Sequence, residues 1–431
     1  MSKSKNDIAW EKIFEKYNII DNILNNGHSI ISSTNINEFR EARLMTKFDH
    51  KSQLPKLFAE NNLSILPTSR GGYVIGNFET FSSFNTDDVA ITPIEFPTFL
   101  ESLDFRDITS EATAINCAFV SKILHDFTEE DNLFPTVSGR MSSSSFGFDI
   151  NSGAGLFNVN VGNSQIEIDG GYEGDKSLNL IEAKNYISDD FLVRQLYYPY
   201  KLWSDKINKQ VRPIFLTYTN GIFHLREYAF TNINHYNSIV LLKHKKYAVQ
   251  DGAFNIETIQ EILETTKKIK EPEIPFPQAD SFDRIINLCE LIKQNDFLTK
   301  EQLFQDYDFG KIDPRQIDYY TNSARYLELI EKGKDPVTNQ ICFVLSIKGK
   351  RIFNTNLADR QKEFVKLIVS HSVFKETLKL YFENGEMPNK EMIVEIMKKS
   401  KLHNVGSETT YFRRASTITG WINWIMNQIE E

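Results

Sequence analysis

Ile166-Glu-Ile-Asp169-Gly-Gly-Tyr-Glu-Gly-Asp-Lys-Ser-Leu-Asn-Leu-Ile-Glu182-Ala-Lys184-Asn is the stretch whose reading decides the fold. Gln165–Asp169 alternates apolar and polar residues, the period of a half-buried strand. Leu178–Lys184 is largely apolar up to a polar tip, as expected of a strand buried on both faces. Residues two apart on a strand share a face, so Glu182 and Lys184 point the same way. Asp169 is expected to end its strand, with Gly170 and Gly171 supplying the turn or bulge that carries the hairpin back. Two carboxylates and an ammonium then meet across neighbouring strands.

Working outward, Ser110–Phe127 carries Ala114, Cys117, Ala118, Val120, Ile123 and Leu124 on or near one stripe, the pattern of an amphipathic helix. Phe146–Ile150 alternates as a strand. Downstream, Ser188-Asp-Asp has the capping hydroxyl and early acids of a helix start, predicting a helix to about Trp203. Val211–Tyr218 and Ile222–Phe230 are strands joined at Thr219-Asn220-Gly221, a hairpin signal. The order helix, strands, helix, strands predicts an α/β (α+β) fold, a mixed sheet flanked by helices.

Hydrolysis of a phosphodiester calls for a hard divalent cation held by carboxylates, and benefits from a cation near the nucleophile. Asp169, a gap of twelve residues, then Glu182-Ala183-Lys184 at the end of an apolar strand resembles the PD-(D/E)XK nuclease superfamily, especially type II restriction endonucleases. Ile168 stands where many members have proline. The resemblance covers about Ser110–Phe230. It implies that Asp169 and Glu182 ligate Mg2+, with the Ala183 carbonyl as a third ligand, and that Lys184 orients or deprotonates the attacking water. Glu111, near the start of the preceding helix, matches the auxiliary metal-binding acid of many members. Gln195 is similar to the glutamine of the Holliday-junction resolvase-like branch, although Pro199 stands where that motif usually has tyrosine.

The chain divides into an N-terminal accessory region (1–100), a nuclease core (101–265), a proline-rich linker (266–280) and two helical modules (281–355 and 356–431). Three prolines within Lys270–Gln278 stiffen that stretch and remove amide donors. Phe282–Lys293, Thr299–Asp306 and Pro314–Leu329 read as helices and Ile341–Ile347 as a strand, which resembles a winged-helix domain. Arg315, Gln316, Tyr319, Asn322 and Ser323 are expected to face outward, being types that reach base edges and phosphates. In the last module Arg360–Phe382, Asn389–Lys399 and Ser407–Asn427 read as helices, with Arg413 and Arg414 as candidates to read guanine or hold phosphate. Upstream of the central hairpin, Arg140, Ser142 and Ser143 are candidate backbone contacts in a small polar loop. The loop at Arg70, Gly71 and Gly72 reads as a plain hairpin turn.

With 431 residues the chain is too long for one ordinary core. Its 41% hydrophobic and 25% charged residues suit a globular protein outside the membrane. The net charge of −9 argues against a non-specific nucleic-acid coat. From Ser281 onward 22 Lys and Arg stand against 21 Asp and Glu, so the acidic excess lies before that point. Cys117, Cys289 and Cys342 match no zinc spacing, and the N-terminus has no apolar leader core, which predicts a cytoplasmic location. No phosphate-cradling glycine loop indicates ATP, and His224 reads as packing or surface.

These readings converge on a nuclease of double-stranded DNA, and the resemblance adds a homodimer and a cognate DNA methyltransferase as genetic partner. A structure-specific or modification-dependent nuclease is a second reading. A DNA-binding regulator with a degenerate nuclease fold is a third, and a surface hairpin with an exposed Glu–Lys pair a fourth.

Overall fold

A computed structural model of the chain describes residues 4–84, 89–249, 254–307, 309, 315–400 and 402–428. The N-terminal part places α1 (Lys5–Lys16), α2 (Ile19–Asn26), β1 (His28–Ser32), α3 (Ser33–Asn37), α4 (Ala42–Met45), α5 (Lys56–Glu60), β2 (Ser64–Pro67) and β3 (Gly72–Gly76) in sequence. The strands form a sheet of order β1-β3-β2, and the rings of Trp10, Phe14 and Phe58 meet edge to face in its core. A left-handed Asn18, φ 48°, separates α1 from α2. The β2–β3 hairpin is the expected strand, loop, strand.

The centre of the molecule is a seven-stranded mixed sheet. Its elements are β4 (Phe81–Ser83), β5 (Ile91–Ile94), α6 (Glu111–Val120), α7 (Ile123–Thr128), β6 (Leu133–Ser142), β7 (Phe146–Ser152), β8 (Gly155–Val161), β9 (Gln165–Gly174), β10 (Ser177–Lys184), β11 (Asp190–Leu192), α8 (Arg194–Ser204), β12 (Gln210–Thr219), β13 (Ile222–Phe230) and β14 (Ile239–Val249). Strand order is β5-β14-β13-β12-β10-β9-β6, with β10 parallel to β12 and β14 parallel to β5. Helices α6 and α7 cover one face over Ile181, Ala183, Ile214 and Leu225. Helix α8 and the β7–β8 hairpin cover the other over Leu178, Leu180, Phe215 and Tyr228. Every residue of β10 is buried, as its place inside a two-sided sheet requires.

Several local expectations are corrected. The helix expected over Ser110–Phe127 breaks at Lys122, which is left-handed. Ser188 caps nothing: Asp190–Leu192 pairs with β4, and α8 begins only after Val193, without a side-chain cap. The segment with Arg140 and Ser142 is strand β6 rather than a loop. Gly170 and Gly171 lie inside β9, and the strand does not end at Asp169. They are there for closeness: a Cβ on Gly171 would sit 2.7 Å from the Val137 carbonyl oxygen, and one on Gly170 would press 3.2 Å from Ile115.

Beyond β14 come α9 (Ile256–Thr265), α10 (Phe282–Asn295), β15 (Leu298–Thr299), α11 (Lys300–Asp306), α12 (Arg315–Tyr326), β16 (Ile330–Lys334), β17 (Ile341–Leu345), α13 (Ile347–Ile352), α14 (Leu357–Ser370), α15 (Ser372–Asn384), α16 (Lys390–Lys399) and α17 (Glu408–Met426). The order β15-β17-β16 makes a small antiparallel sheet beside α10, α11 and α12. Asp313 and Pro314, where the helix expected over Pro314–Leu329 would begin, lie outside the described residues. The strand expected to reach Ile347 ends at Leu345, Ile347 opens α13, and His371 divides the helix expected over Arg360–Phe382. Residues assigned to two separate modules share one buried cluster, in which Phe282 of α10 packs on Trp421 and Trp424 of α17. The proline-rich stretch is not a free linker. Phe276 and Ala279 are buried, the Ile269 amide bonds the Ser370 carbonyl at 2.9 Å, and Glu271 accepts from Tyr326 and meets His371. Among the described residues no helix is long and apolar enough to cross a membrane.

Candidate active site

Antiparallel pairing of Ile181 with Gly170 brings Glu182 level with Asp169, where the irregular register against β6 bends β9. There Asp169 Oδ2 accepts the Ala183 amide at 2.9 Å. On the β10 side the Lys184 ammonium donates to Glu182 Oε1 at 2.6 Å and to the Ala183 carbonyl at 3.0 Å. Gln195, on the first turn of α8, donates its amide to the same Glu182 oxygen. Glu111 opens α6 behind the Ser110 cap and lies 3.4 Å from the Lys184 ammonium. The five residues singled out as catalytic therefore come together from four elements. Asp169 also lines a cleft of about 270 Å³ bounded by Ala112, Asn116, Thr136 and Ser138.

Glu182 and Lys184 are buried, while Asp169 and Glu111 are half-buried. Burial pushes the Glu182 carboxyl up to about 8, Lys184 opposing the rise and Asp169 and Asp49 adding to it. Burial pulls Lys184 down, but Glu182, Glu111 and Asp49 outweigh it and hold the ammonium well above its ordinary value. Burial also raises Glu111 against the pull of Lys184. All three groups are held toward their protonated forms, the two carboxyls chiefly by burial and the ammonium by the excess of carboxylates around it.

That excess is the condition a divalent cation relieves. Among the described residues no three His, Cys, Asp or Glu side chains converge as a closed metal cage. Mg2+ does not need one, since it commonly takes one or two carboxylates and keeps several waters. The Asp169 and Glu182 carboxylates and the Ala183 carbonyl are hard oxygen donors, and each carboxylate has a second oxygen outside the contacts described above. The side-chain oxygen of Gln195 is buried without a partner beside them. This donor set fits Mg2+.

Sequence reasoning missed the flanks of the site. Asp49 and His50 come from the N-terminal part, where nothing in their spacing marks them. His50, 1% exposed, has Nε2 2.9 Å from the Tyr186 hydroxyl and Nδ1 2.6 Å from the Asp190 carbonyl. From the other side, α10 presents Asn287, Glu290 and Gln294 along one face. Asn287 accepts the Ile187 amide at 3.1 Å and Gln294 donates to the Asn185 carbonyl at 3.3 Å. Glu290 accepts the Asn220 amide at 2.9 Å in the β12–β13 turn. The loop that follows Lys184 is thus gripped from both ends of the chain.

The candidate DNA contacts are dispersed. Arg140 is exposed and pairs with Glu167 at 3.1 Å, and Ser142 lies beside it on β6. Ser143 is buried, and its hydroxyl accepts the Ser164 amide, so it closes a turn rather than facing outward. Arg315 is exposed, and Gln316, Tyr319 and Asn322 are half-buried on α12. Ser323, expected outward, is buried and bonds the Tyr319 carbonyl at 2.8 Å. Arg413 is exposed on α17, whereas Arg414 is buried, against expectation, with Nε and Nη1 unpartnered.

Comparison with protein families divides the chain along the same lines as the structure. Residues 7–75 match a domain of unknown function (DUF6996), residues 76–248 a second (DUF6997), and residues 284–430 a third (DUF7226). Searches of curated proteins and of solved structures returned no match.

Proposed function

We propose that this chain is a Mg2+-dependent type II restriction endonuclease, hydrolysing phosphodiester bonds of double-stranded DNA at a specific sequence. The observation that carries the reading is the meeting of Asp169, Glu182, Lys184, Gln195 and Glu111 in one acid-rich, partly buried cluster beside a cleft. Its strand, hairpin and helix arrangement agrees with a PD-(D/E)XK core.

Asp169, Glu182 and the Ala183 carbonyl would hold the cation, which when bound stabilises charge on phosphate and lowers the pKa of water. Lys184 places an ammonium where an attacking water can be oriented and developing negative charge steadied. Gln195 fixes the Glu182 carboxylate, and Glu111 keeps Lys184 charged. Helices α10, α11 and α12 with β15, β16 and β17 follow the order helix, strand, helix, helix, strand, strand, which we read as a winged helix. Its α12 would present Arg315, Gln316, Tyr319 and Asn322 to DNA.

The test is incubation of the purified protein and Mg2+ with methylated and unmethylated plasmid, followed by sequencing of the ends. Discrete fragments support the reading. Intact sequence-specific binding with no cleavage in any divalent metal makes the chain a regulator instead.

A further inference from the structure

The catalytic face of the sheet continues past the catalytic strand. Cross-strand register places Glu182 beside Phe215, and Phe215 beside Arg226. The next row on the same face runs Lys184, Thr217, His224. Side chains in one cross-strand row share a face. Arg226 therefore lies on the Glu182 side of the sheet two strands away, about 10 Å at the usual strand spacing.

Arg226 is 8% exposed and meets no carboxylate among the described residues. Its contacts are the Phe84 ring, 4.8 Å from the guanidinium, and a long 3.4 Å approach to the Thr217 hydroxyl. Its Nε is buried without a partner. So are His224 Nδ1 and the Tyr228 hydroxyl, at the alternate positions on either side of it along β13. Three neighbouring polar side chains on one face each retain an unsatisfied buried atom. Leaving a charged group and its neighbours so costs stability unless something else completes them. Arginine presents a planar fork of donors, and its usual complement is carboxylate or phosphate.

We infer that Arg226, with His224 and Tyr228, forms a phosphate-binding site on the catalytic face, taking a DNA backbone phosphate close to the one cut at Glu182. The assignment of that phosphate to DNA rests on the nuclease reading; the anion site itself does not. The Phe84 ring lies against the guanidinium, and Thr217 stands between Lys184 and His224 in their shared row. Acid at one end of the face and cation at the other suit a phosphodiester that carries a divalent ion on one side only.

The test uses the full chain and Arg226→Met, which keeps length and removes charge, with Arg226→Lys as a second variant. Thermal unfolding is followed with and without inorganic phosphate, and binding of a 20-base-pair duplex is followed against salt without Mg2+. The expected result is that phosphate raises the melting temperature of the wild type but not of Arg226→Met. Duplex affinity should fall about tenfold in Arg226→Met, and the slope of log affinity against log salt should drop by about 0.9. Arg226→Lys should retain the slope. Phosphate protection of the wild type alone, with no duplex binding by either protein, supports the anion site and defeats the nuclease reading. An unchanged salt slope in Arg226→Met, or no phosphate effect on the wild type, overturns the site even if plasmid cleavage proceeds normally. The wild-type phosphate titration decides the matter should both variants fail to fold.

Discussion

Gln195 and Lys184 converge on a single oxygen, Oε1 of Glu182. One donor belongs to a helix and the other to the strand, so the carboxylate is held against rotation from two rigid elements. On the proposed reading, in which Glu182 holds the metal, loss of such a partner changes affinity or activity about 10–100-fold. Gln195→Ala should therefore slow plasmid cleavage about 10–100-fold and raise the Mg2+ concentration needed, with little change in melting temperature. Cleavage rates across an Mg2+ titration check this, and an unaltered Mg2+ dependence removes Gln195 from the site.

Asp169→Ala and Lys184→Ala should each lower cleavage by at least about a hundredfold, the usual loss when a preorganised electrostatic group is removed. Duplex binding measured in the same buffer should be largely retained, because neither side chain is assigned to base reading. Normal cutting by either variant would falsify the active-site assignment.

Glu290 of α10 is buried where that helix meets the β12–β13 turn of the central sheet, beside Arg360 of α14. Glu290 and Arg360, 8% and 6% exposed, approach to 3.6 Å, and Glu290 also accepts the Asn220 amide. Glu290→Ala strands the Arg360 charge in the interior, a change that costs about 3–5 kcal/mol when one partner of a buried pair is lost. Calorimetry should show the melting temperature falling by several degrees. An unchanged transition means that the interface does not depend on this pair.

Acid should loosen the proline-rich strap through Glu271. Burial pushes Glu271 up, but hydrogen bonds from His371 and Tyr326 outweigh it and hold the carboxyl below its ordinary 4.5. A carboxylate depressed on folding adds stability above its unfolded pKa and loses it as pH falls through the folded one. The stability gap between wild type and Glu271→Gln should be constant at neutral pH and close below about pH 4.5. Urea unfolding at stepped pH measures it. A gap independent of pH means that Glu271 contributes no proton-linked stability.

The hairpin and its three charged residues were readable because an apolar strand pattern ends at Glu182-Ala183-Lys184, so that periodicity sets where the charged side chains fall. The helices of the C-terminal part were readable from their caps, as at Ser407 and Asn389, whose side chains accept the Thr410 and Met392 amides. What escaped depends on contacts distant in sequence. Asp49 and His50 lie more than a hundred residues before the strand they flank, and no local pattern links them to Tyr186. Strand β14 was missed because one side of it is polar and half-exposed. The proline-rich stretch looked like a tether because proline density signals stiffness but says nothing about what Phe276 packs against. Ser323 and Arg414 were misplaced because helix faces were assigned without knowing that α12 and α17 share one core.

The loop after Lys184 is held by His50 from one unit and by Asn287 and Gln294 from another. On the nuclease reading, exchanging the C-terminal half as a cassette would remove the hold of Asn287 and Gln294 on the loop that follows Lys184. On that reading, a change of specificity calls for point substitutions on exposed helical surfaces, with α10 kept together with the sheet it clasps.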